Sequence, residues 1–182
     1  MTKTIKVYTD GACSKNPGPG GYAAIFRFDT KIVSVSGRSP STTNNRMELS
    51  AVTAAYSKII EFTTNGKDLG SKHQKLCYEI VSDSSYVVNS IKNKWVSRWH
   101  KAGWVNGKGS KVKNKDLWKK FLVLEKVVES LGVKVQISKV KGHSGDSMNE
   151  LADKTAVLER LLVAEEEKLG DDWDEEWSND YE

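Results

Sequence analysis

The chain opens on alternation: Ile5, Val7 and Thr9 stand against Lys6 and Tyr8, the period of a strand with at least one buried face. Two further strand-like runs follow, so that segments at about 3–12, 20–28 and 31–38, joined by short turns, predict an antiparallel meander. The period then changes. TTNNRMELSAVTAAYSKIIEF sets Val52, Ala55, Ile59 and Phe62 at helical spacing, with Thr and Asn residues ahead of them available as caps. A polar, glycine-containing loop, TTNGKDLGSKHQ, leads into KLCYEIVSD, which reads as a buried strand. Beyond it the pattern predicts a helical stretch near 84–100, a basic loop, a helix near 115–131, a last strand VKVQISKV, the loop KGHSGDS, and a helix from Met148 to Leu162. Strands that come first as a meander and then alternate with helices predict an α/β fold. Its sheet is mixed and five-stranded, antiparallel at one side, parallel at the other, and flanked by helices.

Composition divides the chain in two. At 182 residues it suits one domain of ordinary size with an appendage. The net charge of +4 hides an asymmetry: residues 159–182 hold 11 acids and 2 bases, against 13 acids and 26 bases in residues 1–158. A body this basic is suited to a polyanion. Cys13 and Cys77 are too few and too far apart for a disulfide framework or a metal cluster, which implies reduced thiols. The opening MTKTIKVYTDG has no apolar signal core, and no stretch approaches the roughly 18 apolar residues of a membrane span. The expectation is a soluble, cytoplasmic protein.

The chemistry begins with Asp10, delivered by the first strand into the turn-rich stretch GACSKNPGPGG. Alone it reads as a turn former, and the loop matches neither GxGxxG nor GxxxxGK[ST]. The fourth strand, however, ends in Val81-Ser82-Asp83, and ligands gather at the carboxyl ends of parallel strands. Glu48 lies in line with Val52, Ala55 and Ile59, on the stripe that faces the core, and Asp153 shares a side of the last helix with Ala156 and Val157. An unpaired charge buried there costs several kcal/mol, so such acids call for a cation. Four carboxylates without a Cys or His cluster make an all-oxygen site, suited to Mg²⁺ or Mn²⁺. Two such ions about 4 Å apart would clamp the attacking and leaving oxygens of an in-line displacement at phosphorus, which is nuclease chemistry. His143 lies in the loop ten residues before Asp153; an unperturbed imidazole titrates near pH 6.5, roughly, so an auxiliary proton-relay role is assigned to it.

Between Lys92 and Lys120 run ten Lys and Arg residues against one acid, Asp116, with Trp95, Trp99, Trp104 and Trp118 interleaved. Trp118 reads as core, whereas Trp95 and Trp99, four apart, share a helical face among cations, as in surfaces that track a nucleic-acid backbone.

Together, YTDGACSKNPGPGGYA, TTNNRMEL, SDSSYV, the Trp95, Trp99, Trp104 handle with VKNKDLW, and VKGHSGDSMNELAD resemble the type 1 ribonuclease H family over about residues 3–160. The resemblance implies the ribonuclease H-like fold and an endonuclease that hydrolyses the RNA strand of RNA/DNA hybrids, leaving 5′-phosphate and 3′-hydroxyl ends. Asp10, Glu48, Asp83 and Asp153 match the family's four metal-binding carboxylates, and His143 its flexible-loop histidine. By the same resemblance Cys13, Asn16, Asn44 and Asn45 lie along the minor groove. Thr43 and Asn114 hold a DNA phosphate, Trp95 and Trp99 line a deoxyribose channel, and Lys101 adds its charge to the handle. Ser85 stands where bacterial relatives commonly carry Gln, which shortens or removes one groove contact, and residues 63–75 form a longer surface loop than in compact relatives.

This divides the chain into a catalytic domain, 1–163, with its handle at about 92–120, and an acidic tail, 164–182. In the tail Trp173, Trp177 and Tyr181 recur every fourth residue, and as a helix it would need something to dock on. It is a solubilising segment, a partner-binding peptide, or a polyanion mimic that folds over the handle as a weak autoinhibitor. Two alternatives stand beside hybrid cleavage: a non-catalytic hybrid-binding module, against which the intact set of four acids argues, and a DNA-cutting nuclease or integrase relative, against which the handle and TTNN argue. No apolar stripe is left over for a partner, so a monomer is expected.

Overall fold

The computed structural model describes residues 2–65, 75–141 and 145–178. His143, most of the loop at 63–75 and Tyr181 lie outside them. The elements are β1 (Thr2–Cys13), β2 (Gly18–Arg27), β3 (Ile32–Thr42), α1 (Asn44–Thr64), β4 (Lys75–Ser82), α2 (Ser85–Lys92), α3 (Trp95–Lys101), α4 (Lys115–Ser130), β5 (Lys134–Lys139) and α5 (Ser147–Ser178). They form a five-stranded sheet in the order β3-β2-β1-β4-β5. The β1–β2 and β2–β3 pairs are antiparallel, and β1–β4 and β4–β5 parallel, which is the mixed sheet that the pattern predicts.

Alternation along the strands fills two layers. Ile5, Val7, Ala24, Phe26, Tyr78 and Ile80 form one cluster with Leu49, Val52, Ala55 and Ile59 of α1 and with Trp118 and Phe121 of α4. Tyr8, Ile25 and Val81 form the other, with Ala152, Met148 and Leu151 of α5. The sheet is thus covered by helices on both faces. α5 comes so close to β2 that a Cβ at Gly21 would meet the Ala156 carbonyl oxygen at 2.3 Å. No helix among the described residues is long and apolar enough to cross a membrane.

Three elements differ from their predicted bounds. β3 continues to Thr42 across a bulge opposite Gly18–Gly20, so the strand runs almost directly into α1. The stretch predicted as one helix at 84–100 is two, broken at Lys94, whose φ of 54° no helix accommodates. Val87, Ile91 and Trp95 keep four-residue spacing across that break, which is why periodicity alone joins them. Finally, α5 does not stop near Leu162 but continues to Ser178. Extending an existing helix avoids the nucleation cost, and AEEEKL is made of good helix formers.

Candidate active site

The site lies where β1 outruns its parallel neighbour. β1 and β4 stay in register as far as Thr9 and Ser82, after which β4 ends while β1 goes on with β2 alone. The next residues on the two strands are Asp10 and Asp83, so the register brings the two acids side by side. Glu48 arrives from the first turn of α1. Gly11 admits it: a Cβ there would lie 2.3 Å from the Glu48 backbone nitrogen and 2.5 Å from the Met47 carbonyl carbon.

One oxygen from each of Asp10, Glu48 and Asp83 lies within 4.8 Å of the others. Asp10 and Glu48 are only 8% and 5% exposed. The Gly11 amide donates to Asp10 Oδ1 at 2.7 Å. Burial pushes the Glu48 carboxyl well above the usual carboxylate range, and repulsion from Asp10 and Asp83 adds to it, while hydrogen bonds from Asn44 and Gly11 oppose the shift. Glu48 Oε2 is buried and accepts no hydrogen bond. A buried carboxylate with an orphaned oxygen, clustered with two further acids, fits a hard divalent cation, which would supply the missing ligand and the missing charge together.

Asp153 is partly buried on α5, and none of its oxygens joins the mutual 4.8 Å set formed by the other three. One turn earlier stands Asn149, 4% exposed, with an Oδ1 that accepts no hydrogen bond.

Of the proposed groove residues, Cys13, Asn16 and Asn44 come together where β1 turns into β2. Asn16 Oδ1 accepts from the Asn44 backbone N–H at 2.9 Å, so the 13–18 loop caps α1 from outside. Thr43 occupies the N-cap but makes no side-chain capping bond. The Asn44 side chain reaches Glu48, which ties groove and acids together. Cys13 is half-buried, with its thiol toward the carbonyls of Lys15, Gly18 (3.6 Å) and Thr42 (3.5 Å). Asn45 is exposed on the first turn of α1. Ser85 opens α2 and accepts a 2.6 Å hydrogen bond from Lys139, a cation at the end of β5 that the sequence did not single out.

In the handle, Trp95 and Trp99 sit 6.2 Å apart between ring centroids, and Trp99 packs edge-on against the buried Trp118 at 6.0 Å. With Arg98, Val105 and Lys108 they line a groove of about 560 Å³. Lys101 is exposed at the end of α3. Asn114 (φ 57°) donates to the Tyr86 hydroxyl at 3.2 Å, and Trp118 Nε1 donates to the same oxygen at 2.8 Å. The handle is therefore anchored in the core through Trp118.

A guanidinium fork links handle and acids. Arg46, two residues before Glu48, donates to both oxygens of Asp116 at 2.9 and 2.6 Å, and so ties the start of α1 to the start of α4. Both side chains are substantially exposed, so Arg46→Ala is expected to cost only about 0.5–1 kcal/mol of stability. Its larger effect is expected on substrate, with a roughly fivefold rise in KM and kcat nearly unchanged, because the two gripping surfaces lose their fixed spacing. Steady-state kinetics checks it; a fall in kcat at constant KM would refute it.

A family model described as RNase H matches residues 2–160. The chain is 42% identical over 156 residues to a Ribonuclease H of Chlorobium chlorochromatii, covering 86% of this chain and 94% of that one. Among solved structures it is similar to LC9-RNase H1, described as a type 1 RNase H with the type 2 active-site motif, at a TM-score of 0.63 and 31% identity, covering 87% of this chain and 72% of the other. LC11-RNase H1 in complex with RNA/DNA hybrid shares the fold at a TM-score of 0.57 and 21% identity, over 84% of this chain and 93% of that one. With its acids gathered at the carboxyl ends of β1 and β4 and this match over nearly its whole length, the chain belongs to the RNase H family.

Proposed function

We propose that this protein is an endonuclease that hydrolyses the RNA strand of RNA/DNA hybrids as a monomer, using two Mg²⁺ ions for which Mn²⁺ can substitute. The observation that carries the reading is the buried cluster of Asp10, Glu48 and Asp83, with an orphaned oxygen on Glu48. These three residues would hold the ions, and Asp153, from the adjoining start of α5, would complete the set. Bound there, divalent ions supply the Lewis-acid charge stabilisation of an in-line displacement at phosphorus.

The remaining work falls to the chain's own groups. Trp95 and Trp99 offer flat apolar faces to deoxyribose, Lys101 a cation, and Thr43 and Asn114 bind a DNA phosphate. Asn16, Asn44, Asn45, Cys13 and Ser85 face the minor groove, where the 2′-hydroxyl distinguishes RNA from DNA. His143 moves a proton between solvent and the reacting oxygens. Products carry 5′-phosphate and 3′-hydroxyl ends. Both cysteines are free, which suits the reducing cytoplasm.

The test is cleavage of end-labelled RNA/DNA hybrid, duplex RNA and duplex DNA, with Mg²⁺ and with EDTA. Magnesium-dependent cutting confined to the RNA strand of the hybrid is expected. Tight hybrid binding without cutting would leave a binding module, and cutting of duplex DNA would assign the site to a different nuclease.

A further inference from the structure

Hybrid cleavage leaves the acidic end of the chain unused. Residues 164–182 carry ten acids and one lysine, whereas the handle, 92–120, carries ten basic residues and one acid. The two segments are complementary in charge and nearly equal in magnitude.

The path of α5 decides whether they can meet within one molecule. Ala152 packs under Tyr8 of β1, and Ala156 and Arg160 ride over Gly21 of β2. Glu159 and Glu166 are then held by Arg38 of β3, at 2.9 and 2.6 Å, and Ser36 donates to Glu159 at 2.6 Å. The helix thus crosses β1, β2 and β3 in turn and leaves the sheet at its β3 edge. The handle follows β4 and leads through α4 to β5, at the other edge, and α4 packs against α1 on the opposite face of the sheet. To reach its own handle, α5 would have to break at or beyond the turns that Arg38 clamps. It does not break: it continues to Ser178, which at 1.5 Å per residue carries the arm about 18 Å past Glu166.

A helical arm of that length has little stability of its own and gains from a docking surface. Leu158, Leu161 and Leu162 are already exposed on the turns of α5 that lead into it, at 59%, 49% and 49%. The sequence beyond repeats Leu169, Trp173 and Trp177 at four-residue spacing, among acids. The groove of the handle offers the matching chemistry, with Trp95, Trp99 and Val105 as apolar walls and Arg98 and Lys108 as cations.

We infer that the arm of one molecule docks on the handle groove of a second copy, where it stands in for nucleic acid. A reciprocal exchange closes a two-fold pair with both handles covered. The pair is a resting form, and hybrid, the denser polyanion, displaces the arms to release active monomers. This rests on the reading of the handle as the hybrid-binding surface.

Sedimentation velocity of the full chain tests it, at low salt (about 50 mM) and at about 0.5 M, where charge is screened over a few ångströms. At low salt the mass should rise with concentration from 20.3 kDa toward twice that value. High salt should abolish the rise, as should Trp173→Ala with Trp177→Ala in the full chain. At nanomolar enzyme, with copies apart, wild type and the double variant should cut hybrid at equal rates. A single-copy mass throughout, or a pair that survives high salt or the double substitution, would overturn the inference. So would a variant that is faster at nanomolar enzyme, since that places the arm on its own handle. Association is read without nucleic acid, so its absence leaves hybrid cleavage standing, and a failure to cut hybrid leaves the association result intact.

Discussion

Replacing Glu48 by Gln is expected to make the metal-free protein more stable while removing cleavage. In the folded state the Glu48 carboxyl is buried beside Asp10 and Asp83, with one oxygen unpartnered, and its pKa is raised by burial first and by the two acids second. For an acid whose folded pKa lies above its unfolded one, the folded protein holds the extra proton between the two values. Stability is therefore lost as pH rises from the ordinary carboxylate range through the raised pKa, and the penalty is fully present above it. Gln keeps the shape and removes the charge, so the gain should be about 1–2 kcal/mol near neutral pH and should vanish in acid. Cleavage should fall about a thousandfold or more, the kinetic equivalent of several kcal/mol of metal-borne charge stabilisation. Urea melts of both proteins across pH in EDTA, then with Mg²⁺, check the first part, and hybrid cleavage checks the second. A variant less stable than wild type at neutral pH would mean that Glu48 is held by an interaction other than a cation.

Gly11→Ala is expected to damage both stability and cleavage, although it adds only one methyl group. The new Cβ would lie 2.3 Å from the Glu48 nitrogen, 2.5 Å from the Met47 carbonyl carbon and 2.9 Å from the Glu48 Cα. All three are backbone atoms, so no rotamer change relieves the clash and α1 must move away from β1. That shift strains the core layer in which Leu49, Val52 and Ile59 pack on the sheet, and about 3 kcal/mol of stability should be lost. It also carries Glu48 away from Asp10. An ångström of misplacement in a catalytic constellation costs about a hundredfold, so cleavage should fall by at least that factor even where the variant is fully folded. Denaturant titration together with cleavage at saturating Mg²⁺ separates the two effects. Full activity with only a loss of stability would show that the site tolerates movement of α1.

Much of this architecture could be read from the chain itself. The meander followed by alternating strands and helices is a local signal repeated along the sequence, and it predicts the sheet that forms. Asp10 and Asp83 were legible because each sits at the end of an apolar run, and Glu48 because it interrupts an apolar stripe. The buried Trp118 was legible as core amid a run of cations. What was missed depends on partners far away in the chain. Lys139 meets Ser85 across 54 positions, and Arg46 meets Asp116 across 70, and no period links either pair. The helix break at Lys94 was missed because it lies in a backbone angle and leaves the apolar spacing unchanged.

By itself, then, the sequence determined which faces must be buried, where the acids and cations stand along the chain, and the class of sheet. These follow from local periodicity and side-chain chemistry, which neighbouring residues express without reference to the rest. Only the tertiary structure decided that Thr9 pairs with Ser82, so that the next two residues are Asp10 and Asp83, and that Gly11 lets Glu48 join them. It also decided that α5 continues as one helix beyond its contacts with β3 to Ser178. Such matters are settled by strand register and by close approach between elements, where a shift of one residue or one methyl group separates a metal site from three unrelated carboxylates.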